Sequence, residues 1–394
     1  MTDQERLSPA RQGTIEAEGG IAGAVIRRVT AHPLRAVLPK AQRTSQGDYP
    51  AVEILVVEVE TADGLIGIGE GLARRGAKGY AALVDEALTP RLLGQDSSHR
   101  RALWQRMRNA LTGRPGGQLV EALSAIDIAL WDLAGKRAGE PVHRLLGGMG
   151  RSHVPAYASS INWLDDATVE AEIASALASG FREIKVKLGR PVPAAIARAK
   201  LARQLAGDDI ALYVDANWAY DVDDAMRVGR ALADLGYDLF EEPIAPHDRA
   251  GYRRLAQHLP IRLAAGESDY VGSEALQLLE DRSLGLFQPD VTRSGGITET
   301  WRITELAAAY HTAYAPHVGW SGAICVAASL HLAAAAETTR TFECMVYDNP
   351  LRDELCAPVV GGHMQIVDGG VKIPQGPGLG VTLDHDVLAR HRIA

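Results

Sequence analysis

Three acidic segments recur at a constant interval. Val214-Asp215-Ala216-Asn217, Phe240-Glu241-Glu242-Pro243 and Gly266-Glu267-Ser268 place Asp215, Glu241 and Glu267 at two successive spacings of 26 residues. That interval is about one strand plus one helix with their loops, the length of a β/α unit. Around it, short apolar runs alternate with helical segments, and strands are expected near 154–159, 182–188, 210–217, 238–243, 262–268, 284–290, 313–318 and 341–345. Eight parallel strands close into a barrel, and barrel enzymes carry their chemistry at the C-terminal strand ends. All three acids sit at such ends.

A single Asp or Glu is usually a solvated surface acid. Three carboxylates one unit apart converge on the barrel mouth instead, where they repel one another unless a cation joins them. An all-oxygen set suits a hard ion such as Mg²⁺, completed by water and substrate oxygens, so Asp215, Glu241 and Glu267 are the expected metal ligands. The second strand ends in Lys185-Val186-Lys187, and the period of two turns both ammonium groups inward. Two lysines side by side disfavour each other's protonation. Lys187, nearer the strand end, is the expected base, and Lys185 the expected contact for a substrate carboxylate. Strands six and seven end in Gln288-Pro289-Asp290 and Ala315-Pro316-His317, so Asp290 can fix the His317 ring from the neighbouring strand. On strand eight, Glu343 offers a carboxyl that, if protonated, would donate to the substrate carboxylate; an ion pair is the competing role.

Before the barrel, residues 24–71 alternate in the manner of Val52-Glu53-Ile54-Leu55-Val56-Val57-Glu58-Val59, and Asp63-Gly64 marks a hairpin. Residues 81–146 read as helices, with Leu123, Ile126, Leu130 and Leu133 forming an apolar face that Asp127 interrupts. The expected organisation is a frayed tail (1–22), an α+β domain (23–150), a barrel (151–348) and a Gly/Pro-rich segment (349–394) returning to the first domain.

A formal net charge of -8 without a basic block gives nucleic acid or an anionic membrane no electrostatic hold. Small molecules are the expected partners. Cys325, Cys344 and Cys356 are odd in number and lack metal-type spacing, which fits reduced thiols and a cytoplasmic setting. The N-terminal 20 residues have no apolar core and read as neither signal peptide nor anchor.

The ordered set Lys-Val-Lys, Val-Asp-Ala-Asn, Glu-Glu-Pro, Gly-Glu-Ser, Gln-Pro-Asp and Pro-His resembles the mandelate racemase-like branch of the enolase superfamily. The likeness covers about residues 24–385, including the helix around Ala129-Leu130-Trp131-Asp132 and the closing Pro-Gly-Leu-Gly. It implies an α/β fold, a modified TIM barrel of (β/α)₇β topology under an N-terminal α+β capping domain, Mg²⁺ on the three acids, and an enediolate intermediate stabilised by the metal. One departure is informative. Arg293 stands where mandelate racemase and the muconate lactonising relatives have lysine, and a guanidinium is a poor general base. His317 is thereby left as the group on that face, with Arg293 free to hold Asp290 or a substrate oxygen.

The expected function is removal of the proton α to a carboxylate by Lys187 or His317. Dehydration of a sugar acid to a 2-keto-3-deoxy acid is favoured, with His317 as the acid and Asn217 bonding a substrate hydroxyl. Lys40, Arg43, Arg74, Arg75 and Lys78 are placed on loops (38–50 and 71–80) that would face a polyol or a second carboxylate. The alternative is an isomerase with the same bases, an epimerase or a sugar-lactone cycloisomerase, whose Asn-Pro-Leu-Arg segment Asn349-Pro350-Leu351-Arg352 resembles. A non-catalytic metal-binding barrel is the alternative of another class, and assembly as a homo-oligomer is expected.

Overall fold

The computed structural model describes residue 21 and residues 23–111, 116–361 and 366–393. The expected tail, residues 1–22, lies outside the described residues except for Ile21. Strands β1 (Ile26–Thr44), β2 (Gly47–Thr61) and β3 (Ile66–Leu72) form an antiparallel meander. The β2–β3 turn is the expected one: Gly64 takes a left-handed φ of 80°, and Thr61 Oγ1 donates to Asp63 Oδ1 at 2.6 Å. Helices α1 (Ala77–Leu83), α2 (Arg100–Arg108) and α3 (Gln118–Ala138) follow. The apolar face of α3, with Leu123, Ile126, Leu130 and Leu133 all buried, packs with Leu55, Val57 and Val59 in one core.

The segment 38–50 is not a loop. It is the paired end of β1 and start of β2, with Gln42 opposite Tyr49, Arg43 opposite Asp48 and Thr44 opposite Gly47. Burial alternates near the tip, with Gln42 and Thr44 buried and Arg43 exposed between them, and a long two-stranded arm results.

Eight parallel strands follow, β4 (His153–Ile161), β5 (Glu183–Lys187), β6 (Ala211–Asp215), β7 (Leu239–Glu241), β8 (Arg262–Ala265), β9 (Leu286–Phe287), β10 (Ala313–Tyr314) and β11 (Phe342–Met345). They hydrogen-bond in the order β10-β9-β8-β7-β6-β5-β4-β11, and a parallel bridge from Tyr314 to Thr339 brings β10 back beside the start of β11. One helix joins each consecutive pair, from Asp166–Ala178 to Ala323–Ala335, which is the (β/α)₇β arrangement. Inward residues Tyr157, Tyr213, Leu239, Ala264, Leu286 and Ala315 form an apolar layer across the barrel. Two residues further along, the inward positions are Ser159, Asp215, Glu241, Gln288 and His317, with Gly266 the one without a polar side chain, so this layer is the floor of the mouth.

Acids from the first domain clasp the barrel helices. Glu70 accepts from Gly322 N (2.6 Å) and Cys325 N (3.0 Å) at the start of Ala323–Ala335. Asp127 accepts from Thr298 N (2.8 Å) and Thr298 Oγ1 (2.7 Å) at the start of Gly296–Ala309. The acid that interrupts the apolar face of α3 is therefore a helix cap supplied from another domain. The C-terminal segment returns: Leu379 N donates to Asp132 Oδ1 at 2.8 Å, and Ile393 N to Pro33 O at 2.9 Å. No helix among the described residues is long and apolar enough to cross a membrane.

Candidate active site

Parallel register sets the site's level. Lys187 pairs with Asp215 across β5–β6, and Asp215 with Glu241 across β6–β7, so three inward side chains stand side by side at the strand ends. Glu267 follows β8 after Gly266, and the three acids offer oxygens all within 4.8 Å of one another. All three are buried. Hard carboxylate oxygens gathered this closely fit a divalent cation such as Mg²⁺.

Basic groups surround the triad from two sides. Lys187 Nζ contacts Asp215 Oδ2 in a short ion pair. Lys185, 1% exposed, lies 2.8 Å from both oxygens of Glu241 and 2.8 Å from Glu343 Oε1, and donates to Tyr157 OH at 3.4 Å. Gln288 Nε2 also donates to Glu241 Oε2 at 2.8 Å. At the Glu267 end, His317 Nε2 is 3.1 Å from Glu267 Oε2, while its Nδ1 is 2.7 Å from Asp290 Oδ2. Asp290 is itself fixed by Thr292 N (2.8 Å) and Thr292 Oγ1 (2.5 Å). The structure thus brings together Lys185, Lys187, Asp215, Glu241, Glu267, Asp290, His317 and Glu343.

Electrostatics revise two expectations. Burial lowers the pKa of Lys187 and Lys185 lowers it further, but the adjoining Asp215 together with Glu241 leaves it above the ordinary lysine value. A lysine pair is not enough to free a base while Asp215 is its partner. For Glu343 the surroundings favour the ion-pair role over the protonated donor: against the burial that opposes it, Lys185 and His317 pull its carboxyl down to about 2. It accepts from Ser159 Oγ (2.7 Å) and Val318 N (2.8 Å), so it is an ionised anchor for Lys185.

Arg293 does not hold Asp290. Its Nη2 donates to Tyr270 OH at 2.7 Å, and its Nε lies 3.5 Å from Glu121 Oε1. Asn217, with a left-handed φ of 43°, donates from its backbone N (2.8 Å) and Nδ2 (3.1 Å) to Asp215 and leaves a buried Oδ1 without a partner. Lys40 pairs with Glu172 (3.0 Å) and Arg43 with Asp48 (3.5 Å) at exposed positions on β1, whereas Arg74 Nη2 reaches Glu267 Oε1 at 3.1 Å. Asn349 caps the turn Pro350–Asp353 and donates to Ser321 O at 2.9 Å, so that segment braces the loop after His317.

Above the floor, the β1–β2 arm forms a roof. Ser45 Oγ donates to the backbone oxygens of Ala216 (2.7 Å) and Asn217 (3.0 Å), and Tyr49 packs on Trp320 with ring centroids 4.4 Å apart. Sequence reading missed Tyr157, Ser159 and Gln288. Each lies on the inward period of its strand, two residues from a member of the site or of its floor.

Residues 27–147 match the family described as Mandelate racemase / muconate lactonizing enzyme, N-terminal domain, and residues 168–387 match Enolase C-terminal domain-like. The arabinonate dehydratase of Saccharolobus solfataricus is 33% identical over 347 residues, 86% of this chain and 91% of that protein. The D-galactarolactone cycloisomerase of Agrobacterium fabrum is 34% identical over 352 residues, with 86% and 91% covered. A racemase from Streptomyces coelicolor A3(2), solved with bound magnesium, superposes with a TM-score of 0.86 at 32% identity, covering 94% of this chain and 100% of that one.

Proposed function

Because this chain belongs to the mandelate racemase / muconate lactonizing enzyme family of the enolase superfamily, we propose that it removes the proton α to the carboxylate of a sugar acid and dehydrates the resulting enediolate. The observation that carries the reading is the placement of two candidate bases at opposite ends of one acid triad, Lys187 beside Asp215 and His317 beside Glu267. A Mg²⁺ ion on Asp215, Glu241 and Glu267 would supply charge for the developing enediolate.

The chain's own groups then divide the work. Were Asp215 to serve a cation, Lys187 would lose the partner that holds its proton and could release that proton to solvent; the neutral amine then takes the α-proton. Lys185, held by Glu343, presents fixed positive charge to the substrate carboxylate. Asp290 orients His317, whose Nε2 faces inward and donates a proton to the β-hydroxyl, which leaves as water; the enol product tautomerises to a 2-keto-3-deoxy acid. Asn217 offers its unpaired Oδ1 to a substrate hydroxyl. Isomerase relatives, the cycloisomerase and the racemase, support a second reading: the same abstraction followed by return of a proton to carbon gives an isomer.

Incubation with Mg²⁺ and a panel of acid sugars in D₂O, followed by NMR, tests both. Keto-acid formation identifies a dehydratase, and deuterium at the α-carbon of an isomer identifies an isomerase. Lys187→Met and His317→Asn should each abolish their step, and chelation should stop exchange. Full exchange in both variants would refute the assignment. The same reading takes the protein as cytoplasmic, in keeping with three free, buried cysteines, and as a homo-oligomer, which light scattering would check.

A further inference from the structure

The loop after β10 carries glycine where space demands it and a bulky residue where conformation would favour glycine. In His317-Val318-Gly319-Trp320-Ser321, Trp320 takes a left-handed φ of 65°, whereas Gly319 lies outside the left-handed region. Gly319 answers to its surroundings instead. A Cβ at this position would stand 2.6 Å from His317 Nε2, 3.0 Å from Cε1 and 3.7 Å from Cδ2. That is closer than nonbonded atoms approach, and closest to the nitrogen that faces the mouth.

Neither side of this contact is free to give way. The His317 ring is held at both nitrogens, with Nδ1 2.7 Å from Asp290 Oδ2 and Nε2 3.1 Å from Glu267 Oε2. The loop is held from three directions. Val318 N donates to Glu343 Oε2 at 2.8 Å, and Asn349 Nδ2 donates to Ser321 O at 2.9 Å. Between them the Trp320 ring packs against Tyr49 of the β1–β2 arm and Tyr347 after β11, at centroid distances of 4.4 and 5.8 Å. A tryptophan kept in a left-handed conformation by such bracing is local strain that the surrounding structure sustains, and it lies three residues from a reactive group. A side chain at position 319 would have to push the imidazole off its partners or lie against Nε2.

We propose that Gly319 is a positioning residue for proton transfer from His317: its lack of a side chain keeps open the approach between Nε2 and the departing β-hydroxyl. The inference rests on the proposed function and adds a residue to it. Lys187 stands at the other end of the acid triad, beside Asp215, so abstraction and departure are separable. The α-proton goes to Lys187, the C–O bonding pair leaves with the hydroxyl, and that oxygen takes the His317 proton and departs as water. With fluorine in place of the hydroxyl, the C–F bonding pair leaves as fluoride ion and no proton is needed.

The test compares wild type, Gly319→Ala and His317→Asn in Mg²⁺, on arabinonate, galactonate and galactarate and on their 3-deoxy-3-fluoro analogues. In Gly319→Ala, as in His317→Asn, water loss falls about 100-fold or more, the range of a lost general acid, while α-proton exchange in D₂O and fluoride release stay within about threefold of wild type. Equal losses in all three reactions would make Gly319 a merely structural glycine, and undiminished water loss would show that Nε2 needs no such opening; either overturns the proposal. Denaturant unfolding gives a readout without turnover. Gly319→Ala lowers the midpoint in the protein that keeps His317 and lowers it much less in the His317→Asn background, where the shorter side chain vacates the space. An equal fall in both backgrounds overturns the contact. If Gly319→Ala does not fold alone, the double variant does, and a double variant that also fails to fold counts against the proposal. A wild-type protein that exchanges no α-proton and releases no fluoride overturns the proposed function and this role together, whereas wild-type turnover with equal losses in Gly319→Ala overturns the role alone.

Discussion

At the scale of the residue, the site's ionised groups are arranged so that each has more than one partner. Glu343 illustrates the consequence. A neutral donor and an anionic anchor call for opposite substitutions: Glu343→Gln keeps a donor and removes the charge. Because the carboxylate holds Lys185 at 2.8 Å and itself accepts from Ser159 and Val318, Glu343→Gln should lower kcat by about tenfold or more, an amount typical of losing one charged contact in a site. Steady-state kinetics check this, and retained activity would restore the neutral-donor role. Asp290 is the other diagnostic position. Its carboxylate sits 2.7 Å from His317 Nδ1, so Asp290→Asn should leave the fold intact yet reduce kcat about 100-fold or more, the range of a misdirected general acid. What was legible in sequence here was whatever sits at a strand end: Asp215, Glu241, Lys187 and His317 on the inward period, and Glu267 one residue off it, after Gly266 turns the chain at a φ of 129°. Arg74 was visible only as a charge in a loop, because its partner Glu267 lies 193 positions away, a distance no local pattern encodes.

At the scale of the element, the close seat of α3 on β3 depends on what the strand lacks. In Ile66-Gly67-Ile68-Gly69-Glu70-Gly71 the glycines share one face by the period of two, and α3 lies against it. A Cβ on Gly69 would stand 1.8 Å from Ala125 O, and one on Gly67 2.2 Å from Ala129 O. Gly69→Ala should therefore push helix and strand apart and cost about 1–3 kcal/mol or more in chemical denaturation. Gly79, inside α1 with nothing within 4 Å of a built Cβ, is the control: Gly79→Ala should stabilise by about 0.4–1 kcal/mol. Alternation announced this sheet, but it could not show which face a helix would occupy, nor that the arm formed by residues 38–50 would remain paired to its tip. The barrel strands were legible from their apolar runs; β4 is longer than expected and the others shorter. Residues 216–218 leave the ladder after Asp215, with Asn217 and Trp218 at left-handed φ of 43° and 62°, because that departure is what aims polar groups across the mouth.

At the scale of the whole molecule, the first domain is fastened to the barrel by buried acids whose charge state depends on pH. Glu70 and Asp127 cap the two barrel helices that follow the strands carrying Asp290 and His317. A helix N-terminus favours a carboxylate, and the backbone N–H groups do lower both pKa values, but burial dominates and raises each to about 7, with Asp290 adding to the rise at Glu70 and Glu299 at Asp127, where Arg100 opposes it. The sign follows from linkage. Each folded-state pKa lies above the unfolded carboxylate value, so the folded protein binds more protons than the unfolded chain between about pH 4 and 7. The stabilisation is complete below about pH 4 and is lost as pH rises through 7, on the order of 3 kcal/mol for each acid. Glu70→Gln and Asp127→Asn remove the titration while keeping one acceptor. Each should flatten the fall in unfolding free energy between pH 5 and 8 relative to wild type, whatever constant offset the lost acceptor introduces. Denaturant unfolding at a series of pH values measures the slope, and the double variant should flatten it further, since the two caps serve different helices. Slopes identical to wild type would mean that both acids stay ionised in the folded protein, with the helix N-termini outweighing burial. A shallower slope would mean that the clasp between the domains loosens as pH rises, close to the helices that set Asp290 and His317 across from Lys187.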